Sequence, residues 1–387
     1  MTGFWSTAAR VAGYLRPRWP ARSPAIAGPA LSHGVSVVIP SRNGRHLLEA
    51  QLPGIMRQNP PQVVVVDNGS DDGTAEYLRA AWPAIEIESS AVPLSFARAV
   101  NRGLARTRYS HLCLLNNDML VEPGFFDALA RPFERIPNLF CATAQILFPP
   151  GVRREETGKA VMAQAAPEDF PVRCDEPLPG EDLTFVLYGS GGCSLYDVAM
   201  LRALGGVDEA YDPAYVEDLD LGYRAWQRGW PSVYVAGAVV EHRHRATTSR
   251  YYTQQELDRI LEINYLKFLA RAVASPKVFR RLWAQALRRL PGELLPEACR
   301  IALAGGSRYT LECAEEEFLA LTDGSVAAFP GGAPEGEIAI VCVDELRPPS
   351  PDLLARHAEV VVVRGDGAAA GKWYRAATRW SPAPRPR

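Results

Sequence analysis

Nothing in these 387 residues approaches the roughly 20 consecutive apolar residues that a membrane-crossing helix needs. The uncharged stretch 136–152 is broken by Pro, Asn and Gln. The opening residues lack an apolar h-region, so no secretory signal peptide is expected. Seven cysteines stand at 113, 141, 174, 193, 299, 313 and 342, too far apart for a CxxC zinc pair. Their odd number and wide spacing point to reduced, mostly buried thiols and a cytoplasmic setting. An excess of one charge is also missing. Forty-two Lys and Arg stand against 44 Asp and Glu, a net charge of −2, which argues against wholesale nucleic-acid binding. There is no internal repeat of solenoid period. What is present, 47% hydrophobic and 22% charged residues, is ordinary for a folded chain with one large domain plus appendages, or two domains.

The ends differ from the middle. Residues 1–34 carry Arg10, Arg16, Arg18 and Arg22 and no acid, with Trp5, Val11, Leu15 and Trp19 among them. They read as a basic leader; the alternative is a weak peripheral anchor on an anionic membrane face. Residues 368–387 are basic and Pro-rich and read as a mobile tail.

Between these ends, strand and helix alternate. Val35, Val37, Val38 and Ile39 make a β-branched strand that ends at Pro40. Leu47, Leu48, Leu52, Ile55 and Met56 have helical spacing, interrupted by Pro53. Strands at 63–66 and 85–88 and helices at about 74–81 and 95–106 follow, then an apolar strand running to Asp118. This rhythm predicts an α/β fold with a mostly parallel central sheet flanked by helices. The stretch 151–182 has no clear period and reads as a long loop. A strand at 185–188, helices at 197–204 and 218–228 and a strand at 232–240 follow. Residues 254–290 read as one or two helices. Beyond them, strands at 338–343 and 359–363 around a helix at 351–357 suggest a small α/β extension. The expected divisions are a leader at 1–34, a main domain at 35–270, an extension at 271–367 and the tail at 368–387.

Four segments carry candidate chemistry, and each has a plainer alternative. The strand at 112–115 runs into Asn116-Asn117-Asp118. The carboxyl end of such a strand is where open α/β sheets place ligands, and Asp118 suits a hard cation shared with phosphates. Asn117 and Asp118 would equally serve as a turn and cap. Residues 67–74 read Asp-Asn-Gly-Ser-Asp-Asp-Gly-Thr, in which Asp67 could accept from a base or ribose, or merely close an Asx turn. Arg98 and Asn101 share a helical face that could reach a sugar diphosphate or simply be solvated. Glu217, Asp218 and Asp220 open a helix, where acids meet its dipole; Asp218 could also act as a general base, with Gly191 and Gly192 leaving room for an acceptor. His242 and His244 follow a strand in a chain with six His, and one of them could help Asp118 hold a metal. Arg243, Arg245 and Arg250 add positive charge suited to a diphosphate.

Taken in order, the segments at 35–43 (VSVVIPSRN), 63–74 (VVVVDNGSDDGT), 112–119 (LCLLNNDM), 189–196 (GSGGCSLY), 216–230 (VEDLDLGYRAWQRGW) and 241–244 (EHRH) resemble glycosyltransferase family 2. The rhamnosyltransferase and galactofuranosyltransferase-like branch is nearest. The resemblance covers about 35–270 and implies the GT-A nucleotide-diphosphosugar transferase fold. It implies an inverting glycosyltransferase that moves a hexosyl or deoxyhexosyl group from a nucleotide-diphosphate donor to a hydroxyl of a glycan or lipid-linked acceptor. By position, Pro40, Ser41, Asn43, Asp67, Asn68, Arg98, Asn101, Asn117 and Asp118 would contact the nucleotide sugar. Gly191 and Gly192 would face the acceptor. Asp218, with Glu217 beside it, would be the base. Asp118 would hold Mg²⁺ or Mn²⁺, with His242 or His244 completing the shell. The first acid of the family's DXD motif is Asn116 here, which leaves one carboxylate where two are usual. A cytoplasmic enzyme of cell-envelope polysaccharide synthesis is implied, peripheral to the membrane's inner face at most, with homo-oligomer formation left open.

Two other readings compete. A sugar nucleotidyltransferase would want a Gly-rich, basic loop after the first strand, and Ser41-Arg42-Asn43-Gly44 is too short for one. A non-catalytic sugar-nucleotide-binding scaffold would tolerate Asn116, but the joint presence of Asp118, Asp218 and His242 weighs against it.

Overall fold

The computed structural model describes residues 26, 30–136, 138–149, 157–160, 172–175, 182–183, 185–228, 230–243, 250–272, 276–294, 298, 309–312, 338–343, 359–364, 370–374 and 381–382. The chain divides into two compact units, Met1–Gln254 and Gln255–Arg387. The division falls ahead of the boundary expected at 270.

In the first unit β1 (Ser32–Ser41), β2 (Gln62–Asn68), β3 (Glu86–Ser90) and β4 (Tyr109–Leu115) alternate with α1 (Arg45–Met56), α2 (Thr74–Ala81) and α3 (Phe96–Arg106). Next come β5 (Met119–Val121), α4 (Phe125–Arg135) and β6 (Cys141–Leu147). The hairpin β7 (Thr157–Ala160) and β8 (Val172–Asp175) lies within the stretch expected to be a long loop. The unit closes with β9 (Phe185–Val186), β10 (Cys193–Asp197), α5 (Val198–Ala203), α6 (Glu217–Gln227) and β11 (Ser232–His242).

The nine-stranded sheet has the order β3-β2-β1-β4-β10-β6-β11-β5, with β9 beside β11. The half from β3 to β4 is parallel, as the sequence rhythm predicts. The other half is mixed, because β10 lies antiparallel between β4 and β6. Two antiparallel steps restore the direction, so β6 and its parallel neighbour β11 run in the same sense as β4. The carboxyl ends of β1, β2, β4 and β11 therefore share one rim, and that rim carries the site.

Side-chain alternation builds a core on each face of the sheet. Val37, Ile39, Val63, Val65, Cys113 and Leu115 face one way and pack with Leu48 and Leu52 of α1 and Phe125 of α4. Val38, Val64, Val66, Leu112 and Leu114 face the other way, toward Ala97 and Val100 of α3 and Leu201 of α5. This two-sided cover explains the unbroken apolar run of β2, all seven of whose residues are buried. Each fully buried Val or Leu is worth about 1.5–3 kcal/mol. Such burial carries α1 straight through Pro53, whose missing N–H leaves one helical bond unmade while Leu48, Leu52 and Ile55 stay buried around it.

In the second unit, residues 254–290 form two helices, α7 (Gln254–Ala272) and α8 (Pro276–Arg289). Arg289 bonds Glu262 at 2.7 Å and ties the two together. A separate sheet runs β12 (Tyr309–Glu312), β13 (Ile338–Val343), β14 (Glu359–Arg364), β15 (Ala370–Tyr374) and β16 (Ser381–Pro382). The first three strands are parallel. The stretch expected to be a mobile tail supplies β15 and β16, because β14 offers β15 an edge to pair with, and Pro382 lies in the outermost strand, where a sheet tolerates proline. The helix expected at 351–357 and most of the leader fall outside the described residues.

Helix α3 sits so close to β1 that a Cβ at Gly103 would overlap the Val38 side chain. Gly103→Ala is expected to cost about 1–3 kcal/mol of stability. Chemical denaturation would read it as a lower midpoint with an unchanged slope; an unchanged midpoint would refute the close contact.

Candidate active site

One side of the rim is assembled from the ends of β1, β2 and β4. Asn117 Nδ2 donates to Ser41 Oγ at 2.9 Å, and both residues are buried. Gly44 packs on this pair, and a Cβ there would overlap the Asn117 amide. Asn43, in a left-handed conformation (φ 49°), donates its N–H to Ser70 Oγ at 2.9 Å and accepts from the Asp71 N–H at 2.8 Å. Asp67 is buried and accepts the Ser70 N–H at 3.3 Å. The loops after β1 and β2 thereby hold each other, with Pro40, half-buried, at the end of β1.

The turn after β4 is held from both sides. Gln51 of α1 donates to the carbonyls of Asn116 and Met119. Asn116 donates its N–H to Gly192 O at 2.8 Å, and a Cβ at Gly192 would stand 2.7 Å from Asn116 Nδ2. Asn116 thus packs on Gly192 through the side chain that replaces the motif's usual acid.

Asp118 is buried, with Oδ2 3.6 Å from His242 Nε2. Its Oδ1 is buried and has no hydrogen-bond partner. A carboxylate oxygen left this way costs about 1–3 kcal/mol or more, and a cation would satisfy it. Pairing of β11 with β5 and the Arg243 N–H on Asp118 O at 2.9 Å fix the separation. His242 also stacks on Phe148, with ring centroids 5.9 Å apart. His244 and Arg245 lie outside the described residues. No group of three or more His, Cys, Asp or Glu converges on a cation position among the described residues. Asp118 and His242 therefore fit a divalent ion that takes its other oxygens from a diphosphate and water.

Elsewhere on the rim, the Gly191 N–H donates to Asp218 Oδ2 at 3.2 Å and the Leu219 N–H to Asp218 Oδ1 at 2.8 Å. Two backbone donors hold the carboxylate at the start of α6. A Cβ at Gly191 would lie 3.4 Å from Asp218 Cβ and 3.6 Å from a ring carbon of Phe96, so bare backbone leaves the space before Asp218 open. Glu217 is buried with Oε2 unpartnered. Burial first, then the neighbouring Asp218, push its carboxyl well above the usual range. Before it, Tyr215 and Val216 both take φ 77°, a left-handed conformation costly for a β-branched residue, about 1–3 kcal/mol each.

The structure joins the expected residues by direct contacts: Asp67 through Ser70 to Asn43, Ser41 to Asn117, Asp118 to His242, and Asn116 through Gly192 and Gly191 to Asp218. Three other residues expected at the donor have different commitments. Asn68 clasps both backbone groups of Leu94, at 2.7 and 3.0 Å. Arg98 is 60% exposed and pairs with Glu209 at 3.3 Å. Asn101 accepts the Val207 N–H at 3.0 Å and donates to Val207 O at 2.8 Å. In each case an unpaired backbone group or a nearby acid competes successfully for the side chain. The sequence reading missed Gln51, although a polar residue within the apolar stripe of α1 is a visible signal. It also missed the buried hydroxyls of Thr143 and Ser194, paired across β6 and β10 at 2.9 Å beneath Ser190.

The family model described as glycosyltransferase like family 2 matches residues 33–257, more than half of the chain. An N-acetylglucosaminyl-diphospho-decaprenol L-rhamnosyltransferase of Mycobacterium tuberculosis is 29% identical over 217 residues, covering 50% of this chain and 70% of that protein. A solved structure of GalNAc-T7 with UDP, GalNAc and Mn²⁺ is 14% identical with a TM-score of 0.51, covering 72% of this chain and 55% of that one. At that identity the likeness concerns the fold alone. The chain belongs to the glycosyltransferase like family 2 and is a glycosyltransferase of the GT-A fold.

Proposed function

We propose that this enzyme transfers a sugar with inversion from a nucleoside-diphosphate donor to a hydroxyl of a lipid-linked acceptor, with Asp218 as general base. One observation carries the reading. The turn bearing Asp118 packs on Gly192, and the adjoining Gly191 N–H holds Asp218; this chain of contacts supports a phosphate-side carboxylate and a proton-accepting carboxylate serving one substrate.

In this reading Ser41, Asn43, Asp67 and Asn117 cradle the nucleotide. The diphosphate lies toward Asp118 and His242. Arg250, which donates to Asn43 O at 2.9 Å, and Arg42, stacked 4.0 Å from the Tyr251 ring, bring positive charge to the same loop. Mg²⁺ or Mn²⁺, held by Asp118 and His242, would neutralise charge on the departing diphosphate. Asp218 takes the proton of the acceptor hydroxyl. The acceptor oxygen then bonds to the anomeric carbon from the face opposite the diphosphate, whose bond to that carbon breaks with its electron pair. The acceptor enters over Gly191. Burial, then the neighbouring Asp218, raise the Glu217 carboxyl well above its usual range, which favours its neutral form beside the base.

The M. tuberculosis relative is named for L-rhamnosyl transfer to a decaprenol-linked diphosphosugar, which supports a deoxyhexosyl donor and a polyprenyl-diphosphate acceptor here. No helix among the described residues is long and apolar enough to cross a membrane. The deciding experiment incubates the enzyme and Mn²⁺ with a panel of nucleotide sugars, including nucleotide-activated L-rhamnose, and an N-acetylglucosaminyl-diphospho-polyprenol. Mass spectrometry should show one glycosyl unit added and nucleoside diphosphate released. Release of pyrophosphate, or binding without turnover, would overturn the reading.

Asp218→Asn is expected to lower kcat by about 10²–10⁴-fold while donor affinity holds, since it removes a proton acceptor and keeps the shape. Full turnover would exclude the base role. Asp118→Ala and His242→Ala should each weaken donor binding in Mn²⁺ and leave binding in a chelator unchanged, as followed by calorimetric titration. A wild type that binds equally with and without metal would remove the cation from the account.

Glu217 gives a pH test. Its folded pKa lies above the usual 4.5. The stability of its neutral form is therefore complete below that value and is lost as pH rises toward the folded one. Glu217→Gln has no such proton to lose, so its melting temperature should gain on wild type as pH rises from about 5 to 8. A constant difference would contradict a neutral buried Glu217.

A further inference from the structure

The turn at 204–207, between α5 and the segment leading to α6, is gripped from two helices. From α6, Arg224 donates Nη1 to Leu204 O at 2.8 Å and Nη2 to Gly206 O at 3.2 Å, while its Nε bonds Asp220 Oδ2 at 2.6 Å. Both members of that ion pair are buried, with side chains 5% and 2% exposed. From α3, Asn101 clasps both backbone groups of Val207. Gly206 is left-handed (φ 76°), and a Cβ there would come within 2.5 Å of Asn101 Oδ1. The grip is therefore built for this backbone path.

Both helices that grip the turn also border the acceptor space. Phe96, the first residue of α3, stands beside Gly191 and donates its N–H to Pro213 O at 2.9 Å. Asp218 is in the first turn of α6. The chain between the turn and Asp218 passes through Tyr215 and Val216, whose left-handed conformations persist only when their surroundings over-determine them. Held by the Arg224 fork on one side and the Gly191 N–H on the other, α6 has little freedom to rotate or slide.

We propose that Arg224 and Asn101 are positioning residues for glycosyl transfer: by locking α3 and α6 onto the turn between them, they keep Asp218 aimed at the acceptor hydroxyl. The inference rests on Asp218 being the base. It also moves Asn101 from donor binding to acceptor-side geometry. A lysine at 224 keeps the charge opposite Asp220 but cannot reproduce the planar fork that reaches two carbonyls as well.

The test measures Arg224→Lys, Asn101→Asp and the reference Asp218→Asn in one assay, with nucleotide-activated L-rhamnose and N-acetylglucosaminyl-diphospho-polyprenol. Nucleoside-diphosphate affinity is titrated by calorimetry on the same folded samples. Misaiming a reacting group by an ångström costs about 100-fold, so kcat should fall by about that factor in Arg224→Lys. Donor KM and nucleoside-diphosphate affinity should stay at wild-type values. Asn101→Asp, which turns the contacts of Nδ2 with Val207 O and Glu209 into repulsion, should behave alike. Wild-type turnover in either folded variant would overturn the proposal. So would a parallel fall of affinity and kcat, or loss of folded protein in both, since each would indicate a general structural role. Turnover in Asp218→Asn would instead discard the base assignment, a separate failure.

Discussion

The turn that follows β4 packs on the bare backbone of Gly192. A Cβ there would stand 2.7 Å from Asn116 Nδ2, and the Asn116 N–H reaches the Gly192 carbonyl. This packing joins two halves that the chain builds separately. On one side lie the strand ends that carry Ser41, Asp67, Asn117 and Asp118. On the other lies the glycine backbone that holds Asp218. Through this contact the turn that carries Asp118 and the glycine backbone that holds Asp218 are tied to one another.

The site concentrates features that cost stability. A buried carboxylate oxygen of Asp118 lacks a partner, Glu217 is buried beside another acid, and two consecutive residues are left-handed. Each is unfavourable by a kilocalorie or more, and they lie at one rim of an otherwise well-packed sheet. Such clustering is usual where a fold holds groups ready for a ligand or for chemistry. The two-sided apolar core supplies the stability that tolerates it.

The replacement of the motif's first acid by Asn116 gains a physical explanation. That position packs on Gly192, so a carboxylate there would put a charge into a close contact. The site keeps one carboxylate and one imidazole, and Arg42 and Arg250 bring cations to the loop after β1. Charge on a diphosphate can then be met from two directions.

Much of this was legible in the sequence. β-Branched runs marked β1 and β2, and apolar spacing marked α1 through Pro53, because burial outweighs one lost backbone bond. Short motifs identified Asp67, Asp118 and His242 at or just past strand ends, and Asp218 at a helix start, as candidates, since strand direction sends the ends of parallel strands to a common rim. Local pattern could not fix the partner of a polar side chain. Asn68, Arg98 and Asn101, expected at the donor, also contact Leu94, Glu209 and Val207, residues far from them in sequence. Nor could it reveal that β10 enters antiparallel between β4 and β6, or that 370–374 pairs with β14, because strand pairing is a non-local choice. The sequence by itself determined which residue types stand at the ends of strands. The tertiary structure alone decided which of those polar groups were already satisfied by backbone and which, like Asp118 Oδ1, still lacked a partner.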